Sequence, residues 1–306
     1  MNPTPELLKT PFDEVYLPSM GLFYSAGTPT IKVRELNAYD EILLSSPSLV
    51  YYGNAMKMLF NNVVLSDVLN YDDLLICDKN AILLFLRSTT YGDDVEMNFV
   101  CPECQTEEVG KFKISSIEAK EMSVLPDENG QYEFILPSTR KTETPVSIKF
   151  VPLRVNQQEI IKSGELIPRL LTQITSINGN QDKSFILSTI KKIKIKDSQA
   201  LRLYIDKVEP GFDEMVMHVC TNCEHEIRDV VRIDDTFMTL PPEYRKTVNE
   251  EIFLSYYYGN GISRADAFTM TVNDRRWTIQ RISEEIEKKN KAEKDAMDKA
   301  KSRSKR

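Results

Sequence analysis

Four cysteines stand in two Cys-x-x-Cys pairs, Cys101-Pro-Glu-Cys104 and Cys220-Thr-Asn-Cys223. Such a pair at the tip of a strand hairpin points two thiolates at one ion. Zn2+ takes four ligands in a tetrahedron, so each pair is half a site. Together Cys101, Cys104, Cys220 and Cys223 form a closed, zinc-ribbon-like set with no open position for water. Two other readings stand beside this one. The thiols could pack in their hairpins without metal, or they could do thioredoxin-like redox chemistry. The second is disfavoured because neither pair opens a helix after a βα strand. His225, two residues beyond Cys223, is a substitute ligand, but reads better as an exposed hairpin residue. His218 stands where the other copy has Phe99 and reads as packing. Cys77 has no partner and reads as buried and inert.

Little else in the chain supplies chemistry. Two histidines in 306 residues barely provision a nucleophile triad. No phosphate loop of the form G-x-x-x-x-G-K-[ST] or G-x-G-x-x-G occurs. The acidic doublets Asp72-Asp73, Asp93-Asp94 and Asp234-Asp235 read as turns facing solvent before Mg2+ sites. Five cysteines without an export signal over Met1 to Thr10 point to metal before disulfides, and to the cytoplasm. No window nears the roughly 18 apolar residues of a membrane span. The longest apolar run, Ala81 to Leu86, reads as core. The net charge is −7, and Glu103, Glu107, Glu108, Glu224 and Glu226 flank the knuckles. Both facts argue against phosphate contact. The expectation is a non-enzyme with neither a small-molecule substrate nor a membrane.

The elements that must carry the cysteines repeat. The pairs lie 119 residues apart (220 − 101), and that offset returns along the chain. Leu136-Pro-Ser138 follows Leu17-Pro-Ser19 by 119, and Asp197-Ser-Gln-Ala200 follows Asp78-Lys-Asn-Ala81 by the same amount. Gly211 follows Gly92, Asp213 follows Asp94, Glu226 follows Glu107 and Ile233 follows Ile114 in the same register. The fold class is therefore α+β: two duplicated strand/helix/Cys-knuckle β-hairpin modules related by a pseudo-two-fold, plus a C-terminal α-helical region. The boundaries are 1–125 and 126–238 for the two copies, 239–290 for the helical interaction region, and 291–306 for a charged, disordered tail.

Within the first copy, residues 1–36 read as extended, with a strand at Ile31–Val33. Asn37 caps a helix limited by Pro47. Further helices are expected at 54–62, at 66–70, and from an Asp78 N-cap through Leu86. Strands with Val95, Met97 and Phe99, and with Phe112 and Ile114, flank the first knuckle. In the second copy Val146 to Val151 reads as a strand. Beyond Leu240, Glu243 to Tyr257 forms a helix with Tyr244, Val248, Ile252 and Tyr256 on one face. Gly259-Asn-Gly261 stops it, Ser263 caps a short helix through Phe268, and a last helix lines Trp277, Ile279, Ile282 and Ile286 on one side.

The run Leu17-Pro-Ser-Met-Gly-Leu-Phe-Tyr24, the paired knuckles, Pro210-Gly-Phe212 and the stretch Leu254 to Trp277 resemble the baseplate hub assembly proteins of T4-like contractile-tail bacteriophages. The resemblance implies an assembly factor, chaperone or component of the central hub. Its partners would be phage baseplate hub or tail proteins, in the cytoplasm of the infected host or in the virion baseplate. It carries no catalytic motif. The alternative from the residues alone is a zinc-ribbon nucleic-acid-binding or transcription adaptor. A metal-dependent hydrolase comes third, because it needs an open coordination position.

Overall fold

The computed structural model describes residues 11–51, 53–66 and 69–304. The described elements run, in chain order, β1 (Phe12–Tyr16), β2 (Thr30–Arg34), α1 (Ala38–Leu44), α2 (Pro47–Tyr51), α3 (Asn54–Val63), α4 (Ile76–Tyr91), β3 (Asp94–Val100) and β4 (Glu107–Lys113). The order continues β5 (Tyr132–Ile135), β6 (Ser147–Phe150), α5 (Gln158–Lys162), α6 (Leu166–Gln173), β7 (Ile174–Ile177), α7 (Lys183–Lys192), α8 (Ile195–Val208), β8 (Met215–Val219) and β9 (Glu226–Val230), and ends in α9 (Tyr244–Tyr258), α10 (Arg264–Thr269) and α11 (Val272–Ser304). The class is α+β: small antiparallel hairpins, and helices at the C-terminal end. The sheets are β1-β2, β3-β4, β5-β6-β7 and β8-β9.

The chain separates into two compact units, one of residues 12–33 and 64–237, the other of 34–63 and 238 onwards. The first holds both knuckles. Its core gathers Phe134, Ile148 and Phe150 from the three-stranded sheet, Leu170 and Ile186 from α6 and α7, and Leu201 and Ile205 from α8. Helix α4 is buried along most of its length. It even buries Lys79, 1% exposed, whose Nζ donates to Gln158 Oε1 at 2.8 Å and Asp235 Oδ1 at 2.9 Å. A buried ammonium persists only with such partners.

The offset seen in the sequence is kept in three dimensions. Helix α4 starts at Ile76 and α8 at Ile195, β4 at Glu107 and β9 at Glu226, each pair 119 apart (195 − 76; 226 − 107). The repeated Leu-Pro-Ser and Asp now have a reason. The Ser19 N–H donates to Asp78 Oδ1 at 3.1 Å, and the Ser138 N–H to Asp197 Oδ1 at 3.0 Å. Each aspartate in its helix thus anchors a turn 59 residues upstream. The two carboxyls titrate oppositely. Burial raises that of Asp78, despite the Ser19 and Tyr24 donors. The Ser138 hydroxyl lowers that of Asp197. Asp78 is therefore not the N-cap that the sequence suggests. The helix begins two residues earlier, and the carboxylate is spent on Ser19 and on the Tyr24 hydroxyl at 2.5 Å. Nor does that helix stop at Leu86; it runs to Tyr91 and is closed by Gly92 at φ +90°.

The second unit is helical. Asn37 caps α1 as expected, in a capping box with Asp40, and Asp40 also holds Arg34 at 2.7 Å. Ala38, Val248, Ile252 and Ala267 form the core between α1, α9 and α10. Ser263 caps α10, again in a capping box. The expected strand at 31–33 and helices at 54–62 and 243–257 are present. Of the helix expected at 66–70, residues 67 and 68 lie outside those described, and 66, 69 and 70 are not helical; a single 3-10 turn follows at Tyr71–Asp73. The first ten residues of the extended segment also lie outside those described.

Helix α11 departs from the sequence reading in the face it buries. It turns Arg275 inward, 0% exposed, while Trp277 is 65% exposed. The guanidinium outcompetes the indole because two carboxylates wait for it. Arg275 donates to Glu41, itself buried, and to Glu251 Oε2 at 2.9 Å. Turning Arg275 inward carries Trp277, two residues along the helix, to the opposite side. The helix continues to Ser304 as the solvated, alternately charged extension that the composition beyond Glu287 suggests. Pairs such as Arg281–Glu285 at 3.0 Å and Lys288–Glu285 at 2.9 Å support its exposed faces. Replacing Arg275 by alanine removes the nearest cation from the buried Glu41 carboxylate. The expected loss is about 3–5 kcal/mol of stability, read by urea denaturation. An unchanged midpoint contradicts this ion network.

Candidate metal centre

The two knuckles are built alike. Strand β3 delivers Cys101 and β8 delivers Cys220, both buried. The Cys101 N–H donates to the Thr106 carbonyl and the Cys220 N–H to the His225 carbonyl, each at 2.9 Å. The Gln105 and Glu224 N–H groups return to the carbonyls of Cys101 and Cys220, also at 2.9 Å. Closing so tight a turn needs a left-handed residue, and Gln105 (φ +57°) and Glu224 (φ +60°) supply it in equivalent places. Backbone N–H groups then reach the sulfurs: Thr106 N–H to Cys104, and His225 N–H to Cys223.

The hairpins face one another, and the thiols interleave. Cys101 Sγ lies 3.5 Å from Cys223 Sγ, and Cys104 Sγ 3.6 Å from Cys220 Sγ. This reciprocity, first with second and second with first, is what a local two-fold between the hairpins requires. On that axis Phe99 stacks against its own counterpart His218, with centroids 4.6 Å apart and planes at 18°. The packing role read for His218 is therefore observed. Gly110 makes the contact possible: a Cβ there would meet His218 Nδ1 and Phe99 Cε2 at 2.7 Å. Glu108 ties the hairpins further by accepting from the Thr221 N–H at 3.2 Å and the Thr221 hydroxyl at 2.6 Å. The same carboxylate stands 3.2 Å from His218 Nε2, without hydrogen-bond alignment.

All four sulfurs lie within 4.8 Å of one another. None is in a disulfide; a bonded pair would sit at about 2.05 Å. A tetrahedron with metal–sulfur bonds of about 2.3 Å has edges of about 3.8 Å, close to the 3.5 and 3.6 Å contacts. The cluster is therefore compatible with a metal site. Its electrostatics fit a cation. The Thr106 hydroxyl, 3.1 Å away, leads the effects that bring the Cys104 thiol down to about 5. Cys223 goes up to about 12. The His225 N–H favours its thiolate, but the facing Cys104 sulfur, then partial desolvation and the Cys101 and Cys220 sulfurs, outweigh that donor. One thiolate forms readily, and the next is opposed by the sulfurs that face it.

The four cysteines singled out from the sequence are thus brought together. His225 is not part of the cluster; its contribution is the backbone. Cys77 lies apart on α4, half-buried, and its thiol is pushed up, chiefly by burial. The acidic doublets have structural tasks: Asp93 accepts from the Ser115 N–H and hydroxyl, and Asp235 pairs with Lys79. The roles of Glu108, Thr106 and Thr221 were not identified from sequence: Glu108 and Thr221 meet across the hairpins, Thr106 serves Cys104 within its own, and none repeats in kind at the offset of 119.

The fold and site define an α+β protein whose two strand hairpins gather four thiols into one metal-sized cluster. Residues 24–238 match the family described as T4 bacteriophage base plate protein. That is well over half of the 306 residues, so the chain belongs to this family and is a phage baseplate component. No curated protein and no solved structure matches it significantly. The matched span contains both knuckles; the stretch from Leu254 to Trp277 lies beyond it. Among the described residues no helix is long and apolar enough to cross a membrane.

Replacing Gly110 by valine forces branched atoms into the Phe99–His218 stack. The expected cost is about 1–3 kcal/mol, with faster reaction of the cysteines toward a thiol reagent as the hairpins part. Unchanged melting and thiol reactivity contradict the stacking as the hinge of the cluster.

Proposed function

We propose that this protein is a non-enzymatic assembly factor or component of the central hub of the phage baseplate. It acts through protein–protein contacts. Cys101, Cys104, Cys220 and Cys223 hold a structural Zn2+ as a zinc-ribbon-like clasp. The observation that carries this reading is the closed four-thiol cluster in a baseplate-family chain. Four thiolates satisfy a tetrahedral Zn2+ and leave no vertex for substrate or water, which supports a structural role over hydrolysis. Because Cys104 and Cys220 are distant in sequence, the ion would close a long loop, and its affinity adds to folding stability. The exposed glutamates beside the knuckles support protein partners over nucleic acid.

The helical region supports partner binding too. On α9, Phe253 stacks on Tyr257 with centroids 5.0 Å apart, and Tyr258 packs edge-on to Tyr257 at 4.8 Å. All three rings are exposed. Aromatic residues of this kind are enriched at interface centres.

Two measurements test the reading. Purified protein is expected to carry about one zinc per chain, and Cys101→Ser with Cys220→Ser to lose both the zinc and much of the thermal stability. Equal stability without metal rules the clasp out. Phage lacking the gene are expected to fill heads normally and to stop tails before the baseplate is complete. Normal infectious tails from that phage rule out the assembly role.

A further inference from the structure

Away from the cysteines, the unit that holds the knuckles has a cavity of about 290 Å3 between the start of α4 and the end of α8. One side is formed around Lys120 and Gly211, joined by the Lys120 N–H to the Gly211 carbonyl at 2.9 Å. Asn80 stands in the wall, 6% exposed, and its Oδ1 receives no hydrogen bond. A buried acceptor left in that state is costly. Glu214 also lines the cavity. Its carboxylate has no hydrogen-bond or ion-pair partner among the described residues, and burial raises its carboxyl despite the field of Lys120. Glu209 completes the set. Gln173 Nε2 donates to its Oε1 at 2.5 Å, but Arg169 Nη2 stays 4.0 Å from its Oε2, and burial brings its carboxyl up to about 7.

The cations on the same walls are engaged elsewhere. Lys120 Nζ faces the carboxylate and the carbonyl of Asp206, each at 3.4 Å. Arg169 donates its Nε to Gln173 Oε1 at 3.3 Å. The unmet groups are therefore all acceptors: Asn80 Oδ1, the Glu214 carboxylate and one oxygen of Glu209. The fold does not demand them. At the offset of 119 the other copy has Gln199, Thr90 and Val95 in place of Asn80, Glu209 and Glu214. Among the described residues, three or more charged ligands converge on one point only at the cysteines. A bare metal ion is thus a poorer match than a cation carried on a stem. An ammonium donates three hydrogen bonds. Its methylenes would pack on Pro152, Leu153 and Phe212, which line the rest of the cavity.

We propose that this cavity binds a primary ammonium on an aliphatic stem, a lysine side chain or a free alkyl diamine, held by Asn80, Glu209 and Glu214. The site depends on neither the zinc clasp nor the assembly role. In the test, purified full-length protein is titrated with lysine capped at both backbone ends, and separately with capped norleucine, which lacks the ammonium. The Asn80 side-chain amide is followed by NMR. Capped lysine is expected to give a saturable shift, with norleucine weaker by about tenfold or more. Glu214→Gln breaks no contact in the free protein, so it should keep the melting temperature while weakening capped lysine by about tenfold. Equal affinity for the two compounds, no saturable shift, or full binding by Glu214→Gln overturns the proposal. A carbodiimide, which joins a carboxylate to a neighbouring amine with loss of water, then separates the two sources in infected cells. An amide from Glu214 to a lysine of another protein assigns the site to a partner's side chain. An amide to a free diamine assigns it to a small molecule. An amide to Lys120 of the same chain means that the cavity satisfies itself, and overturns the proposal.

Discussion

Everything around the cysteine cluster follows from one electrostatic constraint. Four sulfurs within 4.8 Å repel one another as negative charge builds on them. The turns nevertheless favour thiolate, with N–H donors and the Thr106 hydroxyl aimed at sulfur. A structure that encourages the first negative charge and penalises the next is balanced by protons kept on sulfur or by a cation between the thiols. The reciprocal sulfur pairs, the left-handed residues after each second cysteine, and the Phe99–His218 stack all hold that geometry. Two pairs of thiols become one four-thiol cluster because the second hairpin repeats the turn of the first.

The rest of the molecule handles charge burial differently. Helix α4 buries Lys79 against Asp235 and Gln158, and α11 buries Arg275 against Glu41 and Glu251. Each is a pair whose breaking costs more than its making gains. Such pairs fix how helices are rotated. They are specific where apolar contacts alone would let a helix turn about its axis.

This explains what was legible in the sequence and what was not. The cysteines, their pairing across 119 residues, the strands leading to them and the Asn37 and Ser263 caps depend on local residue type and spacing, so they could be read. Repetition served in place of structure: Ser19 with Asp78 and Ser138 with Asp197 recur together because they bond to each other. Trp277 and Asp78 misled for a shared reason. An indole on a helix predicts burial, and an aspartate at a helix start predicts a cap, unless a distant group makes a better offer. For Arg275 that offer came from Glu41 and Glu251, and for Asp78 from Ser19 and Tyr24. The Glu108–Thr221 contact was invisible because it joins residues 113 apart with no counterpart in the other copy.

Where the two hairpins meet, their residues are complementary: sulfur lies against sulfur, and Phe99 stacks on His218. The central claim is the shared metal at the meeting point. X-ray absorption at the zinc edge on the purified protein tests it most directly. The account predicts a single shell of four sulfurs at about 2.3 Å. A shell containing nitrogen or oxygen, or protein that binds no zinc at all, would contradict it.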